Sequence, residues 1–372
     1  MFSTRPCTQS LKRQCLSKRS YTSKLIHPPY PPPSGTAKLT NRSLIALHGE
    51  DVPRFLQGMI TNKVRPTEKG GFFAAFLNAK GRVLNDVFIY PATHSPNLPF
   101  LPTSPATPTY LIESSAISIT PLLTHIHRHK LRTKFTATLL PPSLYSIYQT
   151  WSPPNLQPYS PPSHQAEEIS CIDPRAPGMG RRTVIFHNKD AGEGEGLKET
   201  ATLEDYTLHR LFHGVPEGQT EILPGIALPH ESNLDLMSAI DFQKGCYLGQ
   251  ELTIRTHHTG VVRKRILPMN LYHPTSPPPQ TLSYNPDTAF VLPAPETSIS
   301  RLEEQTEEGG VASRNSHVGK FLGGVGDLGV GLWRLEGVGG GEFEVGKGGA
   351  LRCRAFVPEW HKNRGKMGAK GS

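Results

Sequence analysis

Lys244-Gly245-Cys246-Tyr247-Leu248-Gly249-Gln250-Glu251 sets one cysteine beside a lysine and between two glycines, with an amide and a carboxylate following. Glycine reaches backbone conformations closed to residues with a Cβ, so the octapeptide reads as a tight, irregular turn carrying Cys246. An adjacent lysine is a setting that favours thiolates, the form that binds soft metals or attacks electrophiles. A buried cysteine packed as a small hydrophobe is the competing reading. Just downstream, Thr253–His258 reads as helical, stopped by Gly260 at its C-terminal end. Just upstream, Ser232 or Asn233 is placed to cap a short helix that runs through Ile240 and delivers the chain to the turn.

Further out, the hydrophobic pattern alternates between helical and strand periods. Val52, Phe55, Leu56, Met59 and Ile60 fall at helix spacing behind Asp51 as N-cap and Pro53 in the first turn. Phe72–Leu77, the turn Asn78-Ala79-Lys80-Gly81 and Arg82–Tyr90 form a predicted β-hairpin. In its second strand Leu84, Asp86, Phe88 and Tyr90 share a face by alternation, and an acid there needs either a structural partner or a pocket to line. Thr202-Leu203-Glu204-Asp205 has the form of a capping box, continued by Leu208, Leu211 and Phe212. Beyond Val261, glycine-punctuated stretches at Lys320–Leu335 and Glu342–Val357 have the period-two texture of a small barrel. Gly324-Val325-Gly326-Asp327-Leu328-Gly329 matches the dinucleotide glycine pattern, but a strand follows where a helix must, so the match is false. His125 and His129 have metal-pair spacing without a third ligand, which reads as a solvated helix face.

Composition excludes several function classes. The formal charge is +9, yet residues 1–24 hold six bases and no acid, and the tail from His361 holds four more. Removing these ten charges leaves the body at −1, with no excess to track phosphates, so nucleic-acid binding is not expected. No run of 18 apolar residues exists to span a membrane. The acid-free, Arg- and Ser-rich segment 1–24 reads as a mitochondrial presequence, with Arg19-Ser20-Tyr21 resembling a matrix cleavage site. Cys7 and Cys15 would leave with it. The remaining Cys171, Cys246 and Cys353 are too sparse for a disulfide framework. With 36 prolines and 35 glycines, loose insertions are expected near 91–108, 152–164 and 268–316.

The octapeptide with Leu252-Thr253-Ile254-Arg255-Thr256 and Gly260 resembles the signature of one family. That family is the folate-binding relatives of the glycine-cleavage aminomethyltransferase, in the branch of mitochondrial iron–sulfur cluster assembly factors. Phe55-Leu56-Gln57-Gly58 with Thr61-Asn62, Lys80-Gly81-Arg82-Val83-Leu84-Asn85-Asp86, Lys130-Leu131-Arg132, Asp173-Pro174-Arg175, Gly214-Val215-Pro216-Glu217-Gly218 and Arg263-Lys264-Arg265 add to the match. The resemblance implies an α+β fold: a ring-like folate-binding region of two lobes over residues 38–260, then a C-terminal β-barrel over 261–360 and a basic tail at 361–372.

It also implies a factor that matures [4Fe–4S] proteins of the mitochondrial matrix, such as aconitase-type and radical enzymes, together with an A-type cluster carrier. The family's essential cysteine carries over to Cys246. Clusters want cysteine thiolates, usually four, so one cysteine calls for ligands from a partner, and a shared, labile cluster suits transfer. Lys244, Gly245, Tyr247, Gly249, Gln250, Glu251 and Arg255 are expected as support: Lys244 to favour ionisation, the two glycines to allow close approach, and Gln250, Glu251 and Arg255 to hold the loop. Direct ligation by Glu251 is the lesser alternative. The rival function is tetrahydrofolate-dependent one-carbon transfer. The family's transferases carry paired acids where this chain has Asn85-Asp86, and a further acid where it has Phe212, so a non-catalytic factor is expected. A tetrahydrofolate pocket retained without turnover, lined by Arg82 and Asp86, stays open. A cysteine-nucleophile enzyme with His257 or His258 as base is the third class.

Overall fold

The computed structural model describes residues 31–65, 70–93, 98, 107–153, 168–187, 196–288, 290–302, 317–338, 342–346, 348 and 350–369. The expected presequence and most of the insertions at 91–108 and 152–164 lie outside the described residues.

The first unit contains two antiparallel sheets. Its elements are β1 (Gly35–Lys38), β2 (Arg42–His48), α1 (Val52–Met59), β3 (Phe72–Leu77), β4 (Val83–Pro91), β5 (Thr109–Ser115), α2 (Ile119–Lys130), β6 (Thr136–Leu139), β7 (Tyr145–Trp151), β8 (Glu168–Ile172), β9 (Arg181–Phe186), α3 (Leu203–Phe212) and α4 (Gln250–Thr259). One sheet runs β3-β4-β5-β2-β6 and the other β1-β7-β9-β8. Phe73, Phe88 and Leu111 of the first face Ile147, Trp151 and Val184 of the second, giving a sheet-on-sheet core. The far face of the five-stranded sheet, with Ile45, Val87 and Ile112, is covered by Phe55, Leu56 and Met59 of α1 and by Leu122 and Ile126 of α2. The helical spacing of those residues is what buries that stripe.

The hairpin departs from simple alternation at one point. Phe76 pairs with Asn85 but Leu77 pairs with Val83, a bulge that shifts the register. Val83 therefore turns to the inter-sheet core while Leu84 packs on the helix side, so Leu84 does not share the face of Asp86, Phe88 and Tyr90.

The second unit is a closed barrel, β10-β13-β12-β11-β14-β15, built from Lys264–Tyr272, Ser298–Arg301, His317–Val325, Leu328–Arg334, Phe343–Val345 and Arg352–Ala355 in chain order. Met269, Ile299, Phe321, Trp333 and Phe343 fill it. The false dinucleotide match is the tight β12–β13 hairpin turning at Gly326. Two expected boundaries shift. Residues 268–272 and Ser298–Arg301 are barrel strands rather than part of a loose insertion, because their apolar residues complete the barrel wall. Much of the basic tail lies in the helix α5 (Glu359–Ala369), which is docked: Trp360 joins the inter-sheet core cluster, and Arg364 Nη1 donates to the carbonyls of Pro174 (3.0 Å), Arg175 (3.2 Å) and Leu236 (2.5 Å). On the barrel's outer wall, Leu208 and Leu211 of α3 pack against Ile266, Leu328 and Val330, with Phe212 beside them.

Candidate functional site

The capping box forms as expected. The Thr202 hydroxyl accepts from the Asp205 amide (3.1 Å), and the Asp205 carboxylate accepts from the Thr202 amide (2.7 Å). The short helix expected over 232–240 does not form. Asn233 and Ser238 take left-handed φ of 62° and 59°, so the segment is a coil of successive turns. The Asn233 side chain donates to the Ile266 carbonyl of β10, which ties this coil to the barrel (2.7 Å). Arg265 holds it a second time through a bidentate pair with Asp235 (both 2.8 Å).

That coil delivers the cysteine loop, and two stretches far away in sequence clamp it. The Leu248 amide donates to the Gly58 carbonyl at the end of α1 (3.0 Å). The Asp241 amide donates to the Thr61 carbonyl (3.1 Å), while the Thr61 hydroxyl donates to the Ala239 carbonyl (2.6 Å). Asn62 Nδ2 bridges the carbonyls of Phe73 and Ser238 (2.8 and 2.9 Å). Lys244 sets its ammonium over the Tyr247 ring, 4.9 Å from the centroid, and donates Nζ to the carbonyls of Ile60 (2.6 Å) and Asn62 (2.8 Å). Burial lowers its pKa to about 8, against the pull of Asp241. Lys244 is thus a loop anchor, with its ammonium engaged by carbonyls.

The β3–β4 turn supplies the other jaw. Gly249 adopts φ 78°, and a Cβ there would overlap the Asn78 carbonyl oxygen. Gly245 differs: its φ lies outside the left-handed region, and nothing stands within 4 Å of where its Cβ would be. Gly249 makes the fold, while Gly245 leaves bare surface beside the thiol. Gln250 Oε1 accepts the Tyr247 amide (3.1 Å), as expected of a loop holder. Glu251 and Arg255 do not hold the loop. Both are exposed on α4, and neither side chain makes a hydrogen bond or ion pair among the described residues. Long flexible side chains one turn apart gain little from pairing in water.

Cys246 itself is exposed, whereas Cys171 and Cys353 are buried, and burial pushes both of those thiols up. The Cys246 thiol therefore stands on the surface, three residues before Gly249, the N-cap of α4. No group of three or more His, Cys, Asp or Glu side chains able to hold a metal comes together among the described residues. His257 lies flat on Phe242, ring centroids 3.7 Å apart. A cleft of about 180 Å³ runs along the other side of α4, between Leu252, Thr253 and Thr256, the Leu228–Glu231 turn and Val261–Arg263.

Asp86 is fully buried between the sheets. It pairs with Arg42 (3.3 Å) and accepts the Gly218 amide (3.2 Å). Arg82 donates to the Ile226 carbonyl (2.9 Å). Asp86 thus has the structural partners that an acid on an apolar face calls for. Around it lies a charge cluster that residue-level reading missed. Arg42 also binds Glu113 (2.8 Å), Arg175 binds Asp173 and Glu217 (2.7 and 2.6 Å), and Arg182 and Tyr206 bind Glu217 (2.9 and 2.5 Å). Burial pushes the Glu217 carboxyl up, but Arg42, Arg175, Arg182 and Arg210 together hold it well below the usual carboxylate range. The only advance signal was that Asp173, Arg175 and Glu217 each sit in a motif of the resemblance.

Residues 263–363 match the model of the CAF17 C-terminal beta-barrel domain. The mitochondrial iron–sulfur cluster assembly factor IBA57 homolog of Neosartorya fischeri is 40% identical, over 90% of this chain and 78% of that protein. The homolog of the same name from Pyricularia oryzae is also 40% identical, over 96% of this chain and 93% of its own length. Among solved structures, the glycine cleavage system aminomethyltransferase T of Bartonella henselae superposes with a TM-score of 0.57 at 10% identity, covering 88% of this chain and 86% of that one. At that identity the likeness concerns the fold alone.

Proposed function

Because the chain belongs to the mitochondrial IBA57 family of iron–sulfur cluster assembly factors, we propose that Cys246 supplies one thiolate ligand to a cluster passed between proteins. The chain is an iron–sulfur cluster assembly factor of mitochondria. The observation that carries the Cys246 role is its exposure on a rigidly clamped loop beside bare surface at Gly245. A cluster is cargo here. One soft thiolate fits one corner of it, and the other ligands come from the protein docked opposite.

The chain's own residues do the positioning. Lys244 and Gln250 fix the loop backbone, Leu248 ties it to α1, and Gly249 seats it on the β3–β4 turn. Tyr247 is buried beneath Lys244 and gives the loop its floor. An A-type carrier in the mitochondrial matrix is the partner we propose, with [4Fe–4S] enzymes as the clients served. Shared ligation keeps the cluster labile, which transfer requires.

Anaerobic mixing of the protein with an A-type carrier, iron and sulfide tests this. A thiolate-to-iron absorption band present only in the mixture, and lost in Cys246→Ser, is expected. An unchanged band in Cys246→Ser would remove the role.

A further inference from the structure

Two side chains that line the cleft beside α4 are left unsatisfied inside the fold. His230 and Thr253 are only 5% and 1% exposed, and His230 Nε2 and Thr253 Oγ1 make no hydrogen bond of good geometry among the described residues. Buried polar groups are nearly always paired, so each such atom needs a reason. Other unsatisfied buried atoms exist, among them those of Arg182 and Gln219, but none of those borders this cleft. The Tyr247 hydroxyl faces Thr253 and is likewise buried without a good bond.

The rest of the lining limits what can satisfy these atoms. Leu228, Leu252, Val261 and Val262 supply an aliphatic wall. The charged lining residues are Glu231 and Arg263, one of each sign, and Glu231 already pairs with Lys264 at 3.9 Å. Burial lowers the His230 pKa; Asp235 opposes this, while Arg265 and His257 add to it, so the ring is neutral at pH 7. A charged head set against a hydroxyl and a neutral imidazole would lose its hydration with no counter-charge in return. A neutral amide or hydroxyl head exchanges hydrogen bonds with both. The volume of about 180 Å³ equals roughly six waters of liquid, which suits a molecule of about seven non-hydrogen atoms.

We propose that this cleft binds a small neutral amphiphile, an aliphatic body of about five carbons with an amide or hydroxyl head held by His230 Nε2 and Thr253 Oγ1. The site is distinct from the pocket expected for folate, since neither Arg82 nor Asp86 lines it. Occupancy reaches the cysteine loop through one contact: Thr253 faces Tyr247, which is buried next to Cys246. The cleft also separates α4 from Val261–Arg263, the link into the barrel, so a bound molecule braces the helix against that link.

Isovaleramide is the probe, followed on the full chain by saturation-transfer NMR and calorimetry. A Kd of about 1–10 mM is expected for so few atoms. Isovalerate has the same shape with a charged head and should bind at least about tenfold more weakly. Thr253→Val keeps the shape, removes the hydroxyl and should weaken the amide about tenfold. Val261→Trp, at a residue 60% exposed, should block the cleft and leave the melting curve unchanged. At saturating amide, hydrogen exchange over 246–259 should slow about threefold in the parent and not at all in Val261→Trp. No saturation transfer at about 20 mM amide, isovalerate binding as tightly as the amide, or amide binding unaltered in both variants overturns the site. Unchanged exchange with binding intact overturns the link to the cysteine loop.

Discussion

Gly249 and Gly81 face one another across the base of the cysteine loop: both are left-handed, at φ 78° and 74°, and a Cβ on Gly81 would lie 2.9 Å from the Gly249 carbonyl oxygen. The β3–β4 turn and the start of α4 thus meet backbone to backbone, with no room for a side chain. The placement of Cys246 depends on that contact.

Gly249→Ala should lower stability by about 1–3 kcal/mol and weaken the shared-cluster band several-fold, because both the φ and the contact are lost. Gly245→Ala should be tolerated in folding, since nothing stands within 4 Å of its Cβ. Thermal melts and anaerobic absorption on both variants check this; equal losses at the two glycines would contradict it.

Thiol reactivity gives an independent check on exposure. In protein lacking residues 1–24, one thiol should react with Ellman's reagent at once and two only as the fold opens. Cys246→Ser should erase the fast phase. A fast phase that survives this substitution would mean that another cysteine is reachable.

The Glu217 carboxylate should prove costly to remove. Glu217→Ala leaves Arg175 and Arg182 buried without their shared acid, at about 3–5 kcal/mol in urea unfolding. Stability within about 1 kcal/mol of the parent would show that the cluster re-pairs without it.

Acid should destabilise the fold through histidines before carboxylates. Burial lowers His361 and His209 to about 3 and His125 to about 4, with like charge from neighbouring groups adding to it. These rings are neutral when folded, whereas the unfolded chain takes up protons below about 6.5. Stability is therefore complete above about pH 7 and falls as pH drops from about 6.5 towards 4. Urea midpoints should be level between about pH 8 and 7 and fall steadily from about pH 6 to 5. His361→Phe should flatten part of that fall; a midpoint constant down to about pH 5 would rule the effect out.

Much of this was legible in the chain. The α1 stripe, the β3–β4 hairpin, the Thr202 box and the Gly260 stop are set by residues within a few positions of each other, where spacing alone decides. The barrel showed in its glycine-punctuated strands. What escaped depends on distant partners. Asp86 owes its role to Arg42 and to the Gly218 amide, 44 and 132 positions away, and no local pattern encodes either. The 232–240 helix gives way to successive turns because left-handed residues at 233 and 238 interrupt the helical run, where the Asn233 side chain and the Ser238 carbonyl bond to distant segments. The charge of the tail could be counted, but not that Trp360 and Arg364 dock by burial and by carbonyls contributed by other segments. Glu251 and Arg255, credited with local bonding, are left to solvent.

The bare ground beside Cys246 has a chemical price. A sulfur that iron can reach is equally open to peroxide and to a second copy of itself. In air, the unpartnered protein should drift towards sulfenic acid and then a disulfide-joined pair, and only reductant or an occupied docking face would guard it.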